Sequence, residues 1–192
     1  MSLFEKQKSI QEMAFKVVKE LNLEKILGKY GEFVLVGSVV YGLMTWRDVD
    51  MDLRLPDIPT DKQYFELVSS IFPLLGIKKL TLVDDRKMED KDRPRSMYLG
   101  IKYEDNDKNI WKIDIRILSK EDVTTDVIAD LISSKATNEN KETILRIKSQ
   151  VHDNPNYHKK FSSVDIYEAV LNSGVNDLEQ FKEYLNIQGK EL

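Results

Sequence analysis

The chain has 192 residues, a net charge of −4, 41% hydrophobic and 32% charged residues, the balance of a globular domain long enough to bury a core. It has no cysteine, which excludes disulfides and thiolate metal sites, and no apolar run of the roughly 18–20 residues that a membrane span needs. Glu5, Lys6 and Lys8 leave the N-terminus without an apolar signal core, so the chain reads as cytoplasmic, and its mild acidic excess argues against a large nucleic acid as partner.

Apolar residues at Phe4, Ile10, Met13, Ala14, Val17, Val18 and Leu21 predict an amphipathic helix, with Leu23 to Leu27 continuing or restarting it and Gly28 as a stop. Phe33 to Val36 is a short apolar strand that runs into Gly37-Ser38. Glycine tolerates a positive φ, and Ser38 suits the N-cap of a helix over Val39 to Met44, whose free N–H groups can hold a phosphate. The next strand runs to Leu55 and stops at Pro56. A helix follows from Thr60-Asp61, with Tyr64, Phe65, Leu67, Val68, Ile71, Phe72 and Leu75 as its apolar face and Gly76 as its end.

Ile77 to Val83 is a predicted strand, and Asp84 to Arg95 a charge-dense loop in which Arg93 and Arg95 are candidates for phosphate contact. Ser96 to Tyr103 and Ile110 to Leu118 predict a hairpin around a polar turn, which lacks the glycine and later glutamate of a calcium loop. Helices are then predicted over Asp122 to Ser134, Asn138 to Val151, Val164 to Leu171 behind a capping box at Ser162 and Asp165, and Asp177 to Leu185.

The chemistry concentrates on the strand before Pro56. Side chains alternate along a strand, so Asp48, Asp50 and Asp52 share one face while Val49, Met51, Leu53 and Leu55 share the other. Carboxylates so close repel unless a cation sits among them, and Mg2+ takes oxygen ligands of this type. A further acid, Asp114, stands in the apolar strand Trp111 to Leu118, flanked on its own face by Lys112 and Arg116. A phosphate-holding turn beside metal-binding carboxylates suits phosphoryl or nucleotidyl transfer.

These residues resemble the nucleotidyltransferase superfamily with the DNA polymerase beta-like fold. Gly37-Ser38-Val-Val-Tyr-Gly42, then Asp50-Met51-Asp52-Leu53, then Ile113-Asp114-Ile115 match its order of motifs over about Phe33 to Leu118. The resemblance implies an α+β protein: a small mixed β-sheet backed by helices, residues 1–118 forming the catalytic core and 119–192 a helical C-terminal extension. It implies that Gly37 and Ser38 bind the nucleotide phosphates. Asp50 and Asp52 would ligate Mg2+, with Asp114 as the third ligand or general base and two ions in the full site. Asp48 has no fixed counterpart in the motif. Trp46, Arg47 and Arg116 are near enough to contact substrate, and Arg146 and Lys148 are candidates to reach the phosphates.

The expected activity is Mg2+-dependent transfer of a nucleoside monophosphate, AMP from ATP, to a hydroxyl or similar group of a small molecule or protein, with release of pyrophosphate. The rival expectations are a nucleotide-binding or interaction module of the same fold without turnover, and a metal-dependent nuclease.

Overall fold

The structure is a computed structural model that describes residues 1–87, 94–123 and 127–192. It is an α+β fold with a five-stranded mixed sheet, as the sequence led us to expect. The strands are β1 (Glu32–Val36), β2 (Asp48–Leu55), β3 (Ile77–Asp84), β4 (Ser96–Glu104) and β5 (Ile110–Ser119), in the spatial order β1-β2-β5-β4-β3. β2 and β5 run parallel, and every other neighbouring pair is antiparallel.

The helices are α1 (Leu3–Glu20), α2 (Leu23–Leu27), α3 (Ser38–Tyr41), α4 (Asp61–Ile71), α5 (Val127–Lys135), α6 (Asn138–Val151), α7 (Ser163–Ser173) and α8 (Leu178–Ile187). The chain folds into two compact units, one of Ile10–Val40 and Trp46–Thr125, the other of Met1–Ser9, Tyr41–Thr45 and Asp126–Leu192. None of the described helices is long and apolar enough to cross a membrane.

The first unit holds the sheet. Val49, Met51, Leu53 and Leu55 of β2 are buried with Leu99 and Ile101 of β4 and Ile113, Ile115 and Ile117 of β5. Such alternation fixes register, because a slip of one residue would turn this whole set to the opposite face. α4 begins in a capping box, in which the Thr60 hydroxyl accepts from the Gln63 backbone and the Gln63 side chain accepts from the Thr60 backbone. It is shorter than its apolar pattern suggested. Phe65 points outward, while Phe72 and Leu75 lie beyond the helix end, and all three are exposed, so only Tyr64, Leu67 and Ile71 of that face enter the core.

Arg86 ties the start of α4 to the end of β3. Its guanidinium donates to Asp61, to the Pro59 carbonyl and through two nitrogens to Asp84. The Asp84 carboxyl is held down at about 2, first by the hydrogen bonds from Arg86. A carboxyl depressed in the folded state contributes stability that is present above its unfolded value near 4 and lost as pH falls toward the folded one. Acid melting curves should therefore show wild type losing a small stability advantage over Arg86→Ala between about pH 4 and pH 2.

The second unit is helical. Thr137 caps α6 by accepting from the Asn140 backbone, and Asp177 caps α8 by accepting from Gln180. Asp165 accepts from both the backbone and the hydroxyl of Ser162 ahead of α7, which ends at Gly174 with φ +69°. The helix expected over Asp122 to Ser134 is shorter: α5 begins at Val127, Asp122 stands in a turn that accepts from the Ser119 hydroxyl, and residues 124–126 lie outside the described residues. Lys148 of α6 is only 1% exposed, and its ammonium donates to the Leu43 carbonyl and the Tyr167 hydroxyl. Arg146 donates to Thr143 and to the Asn176 carbonyl. Both cations read as phosphate candidates are thus hydrogen-bonded.

Candidate active site

β2 and β5 build the site through their register. Parallel pairing sets Asp48 opposite Lys112, Asp50 opposite Asp114 and Asp52 opposite Arg116. Directly opposed side chains on one face meet, so each acid of β2 receives a different neighbour. Among the described residues, Asp48, Asp50 and Asp114 each offer a carboxylate oxygen within 4.8 Å of the others.

Asp52, expected as a metal ligand, is outside that group. Its two oxygens accept from Arg116 Nε at 3.0 Å and Nη2 at 3.1 Å, Arg54 Nη2 stands 3.5 Å away, and the residue is 2% exposed. The Arg116 guanidinium, expected near the substrate, faces Asp52 for the same reason. Asp48, for which the motif offered no counterpart, is inside the group.

Asp48 is the best-buried member. Its Oδ2 accepts from Trp46 Nε1 at 3.4 Å and faces Lys112 Nζ at 3.5 Å, while its Oδ1 is buried with no hydrogen-bond partner. Burial pushes the Asp48 carboxyl above its ordinary value, and the nearby Asp114 adds to this; Lys112 and Trp46 oppose it without cancelling it.

Asp114 is held from two sides: Tyr98 donates its hydroxyl to Oδ1 at 2.8 Å and Lys112 donates to Oδ2 at 2.6 Å. Burial, then the bond to Asp114, raises the Tyr98 hydroxyl above its ordinary value, so it stays a donor. Space for that hydroxyl exists because Gly100, paired with Asp114 across the β4–β5 ladder, has no side chain; a Cβ there would collide with the Tyr98 ring and oxygen. The Tyr64 hydroxyl in turn donates to the Tyr98 carbonyl at 2.6 Å. Sequence reading missed Tyr98, although Tyr98, Gly100 and Lys102 alternate onto one face of their strand.

Gly37 closes the site on the other side of Asp50. It follows Val36, the β1 partner of Asp50, and has φ +72°. A Cβ there would stand 3.0 Å from Asp50 Oδ2. The positive φ favours glycine, and a Cβ would press on the neighbouring carboxylate. Ser38 is the first residue of α3 rather than its cap, and the helix ends at Tyr41, before Gly42 at φ +68° and three residues short of the predicted Met44. Gln11 of α1 donates to the Val39 carbonyl at 2.5 Å, which ties this short helix to α1. Gly37→Ala should cost about 1–2 kcal/mol in backbone strain and push the Asp50 carboxylate aside, with a lower melting temperature and weaker metal binding measured on the same sample.

The carboxylates fit a hard divalent ion on chemistry and on one observation, the buried, unpartnered Asp48 Oδ1 among oxygen donors. A groove of about 930 Å³ lined by residues including Phe15, Val18, Phe33 and Leu35 contains none of these acids. Arg95, read as a phosphate candidate, donates to Asp122 at 3.1 Å, and Arg93 lies outside the described residues.

Compared with protein-family models and with curated proteins, the chain matches none. Solved structures do match. A cytoplasmic RNA terminal U-transferase is 15% identical over 85% of this chain and 54% of its own, with a TM-score of 0.56. A mutant Cid1 poly(U) polymerase bound to MgATP is 15% identical over 88% of this chain and 49% of its own, with a TM-score of 0.55. Cid1 with a UTP analog is 12% identical over 85% and 54%, with a TM-score of 0.54. The chain has the fold of these nucleotidyltransferases, and spans about half their length. The expectation against a large nucleic acid draws no support from them, since the first is named for RNA and the second for poly(U).

Proposed function

We propose that the protein is a divalent-metal-dependent nucleotidyltransferase that moves a nucleoside monophosphate from a triphosphate to a hydroxyl acceptor and releases pyrophosphate. The convergence of Asp48, Asp50 and Asp114 around a buried, unpartnered oxygen carries this reading. It revises the ligand set expected from the motif, because Asp52 is committed to Arg116. Residues up to 118 carry this chemistry, and 119–192 act as the helical extension.

Bound by these carboxylates, Mg2+ would neutralise charge developing on the α-phosphate and raise the reactivity of the acceptor oxygen. The chain's own groups do the rest. Backbone N–H groups at Gly37 and Ser38 face the phosphates, as the Gly-Ser motif implies. Asp114, its carboxylate oriented by Tyr98, stands ready to take the proton of the incoming hydroxyl.

The donor expected from sequence is ATP, and the similar structures add UTP as its first competitor, since one carries MgATP and another a UTP analog. The acceptors expected from sequence are small molecules or protein side chains, and the names of those structures add an RNA end. The test is pyrophosphate release from ATP, UTP, CTP and GTP in turn, with Mg2+ or EDTA, against an RNA oligonucleotide, a protein panel and a hydroxylated small-molecule panel. Metal-dependent release with one donor supports the reading, and nucleic acid cleavage without nucleotide would replace it with the nuclease.

One observation favours a binding module without turnover: Lys112 already pairs with Asp114 and stands beside Asp48. Metal-dependent nucleotide binding with no pyrophosphate release across all panels would select that module.

A further inference from the structure

The β2–β5 register seats Lys112 against the three-carboxylate group. Its ammonium is 2.6 Å from Asp114 Oδ2 and 3.5 Å from Asp48 Oδ2, and it feels Asp50 as well. A divalent ion held by the same carboxylates would need the oxygens that this ammonium now engages. Two cations cannot share that volume without strong repulsion, because a charge near carboxylates in a half-buried site is poorly screened.

The neighbouring ion pair is built differently. Arg116, its side chain 41% exposed, is forked onto Asp52 through two nitrogens, and a bidentate guanidinium fixes the geometry of its partner. Lys112, about as exposed at 47%, is instead a point charge on a flexible stem that holds one carboxylate oxygen closely and a second only at 3.5 Å. The same face of the sheet thus carries one bidentate ion pair and one single-point pair that can swing away.

We propose that Lys112 is an internal counterion that holds the carboxylate site against free divalent metal and is displaced when metal arrives with a triphosphate. This rests on the metal site proposed above and adds an order to its loading. In the metal-free protein the ammonium keeps Asp48 and Asp114 together at little electrostatic cost. A free divalent ion must expel it into water, with no anionic partner to receive it. An ion that arrives with a triphosphate brings anionic oxygens that can take up the released ammonium, so metal and nucleotide each strengthen the binding of the other.

The experiment is Mn2+ binding by calorimetry and electron paramagnetic resonance on wild type, Lys112→Met, Lys112→Arg and Asp48→Asn, with and without a non-hydrolysable nucleoside triphosphate analogue. Lys112→Met keeps most of the aliphatic stem and removes the charge. It should bind free Mn2+ at least about tenfold more tightly than wild type, and the gain from adding nucleotide should shrink by a similar factor. Lys112→Arg should bind free Mn2+ as weakly as wild type. Melting curves in EDTA supply an independent readout: Lys112→Met should melt below wild type, and Mn2+ should restore it. Equal Mn2+ affinity in wild type and Lys112→Met, with Asp48→Asn impaired, overturns this inference and leaves the metal site standing. Mn2+ binding that survives Asp48→Asn, or none in any variant, overturns both.

Discussion

Asp48→Asn should lower metal-dependent pyrophosphate release by at least about 100-fold while leaving the melting temperature within a few degrees of wild type. The substitution keeps the shape of the side chain and removes the charge that a metal requires. Stability is spared for a definite reason. Burial already disfavours the Asp48 carboxylate, so the neutral amide avoids that penalty, and this offsets the weakened attraction to Lys112 at 3.5 Å. Asp50→Asn and Asp114→Asn should lower the release as strongly, because all three oxygens belong to one group. The assay is pyrophosphate release with the preferred donor, run beside thermal melting of each variant. A variant that melts normally and still releases pyrophosphate at the wild-type rate would remove that residue from the metal site. If all three did so, the nucleotidyltransferase reading would fall.

Much of this was legible in the sequence because it depends on alternation and punctuation. The apolar set Val49, Met51, Leu53 and Leu55 identified β2 and the face its acids share, and Gly37 marked a turn whose positive φ glycine adopts freely. Helices α6, α7 and α8 lie close to their predicted spans because each has a capping residue and an apolar stripe. The choice among the three acids was not legible. Along β2 they are equivalent, and the choice is made on β5, where Lys112, Asp114 and Arg116 present a cation, an anion and a cation. A register shift of two residues would have set Asp114 opposite Asp52 and made the expected pair the central one.

A clue was available: opposing Arg116 to Asp52 and Lys112 to Asp48 leaves only Asp50 facing another acid. That clue needs the two strands to be neighbours, and they are far apart in sequence, joined through α4, β3 and β4. The role of Tyr98 was hidden for the same reason, since it reaches Asp114 only once β4 and β5 pair and Gly100 leaves room. Phe72 and Leu75 failed differently: their spacing continued the helical pattern, but α4 had already ended at Ile71.

Asp52 should prove essential to the fold instead of to the chemistry. Asp52→Ala leaves the Arg116 guanidinium without the two acceptors it now has at 3.0 and 3.1 Å, in a place where Asp52 itself was 2% exposed. The Arg116 side chain is 41% exposed and can turn its charge toward water, so the loss is that of its charge-assisted hydrogen bonds to a buried carboxylate, about 1.5–3 kcal/mol, still a sizeable share of the stability of a domain this size. The expected result is a clear fall in melting temperature and in the denaturant midpoint. Lost activity in this variant would be ambiguous, since an unfolded site and a missing ligand look alike. The double variant Asp52→Leu/Arg116→Met resolves it. Replacing both members of a buried pair by apolar groups of similar volume is often close to neutral, because no unpaired charge remains. Arg54, the second cation near Asp52, has a side chain 26% exposed but a buried Nε without a hydrogen-bond partner, so it loses its nearby carboxylate in either variant. The double variant should therefore recover part of the lost stability and release pyrophosphate with the preferred donor. A stable double variant with no turnover and no Mn2+ binding would return Asp52 to the metal site, and would mean that Arg116, like Lys112, gives way to the metal.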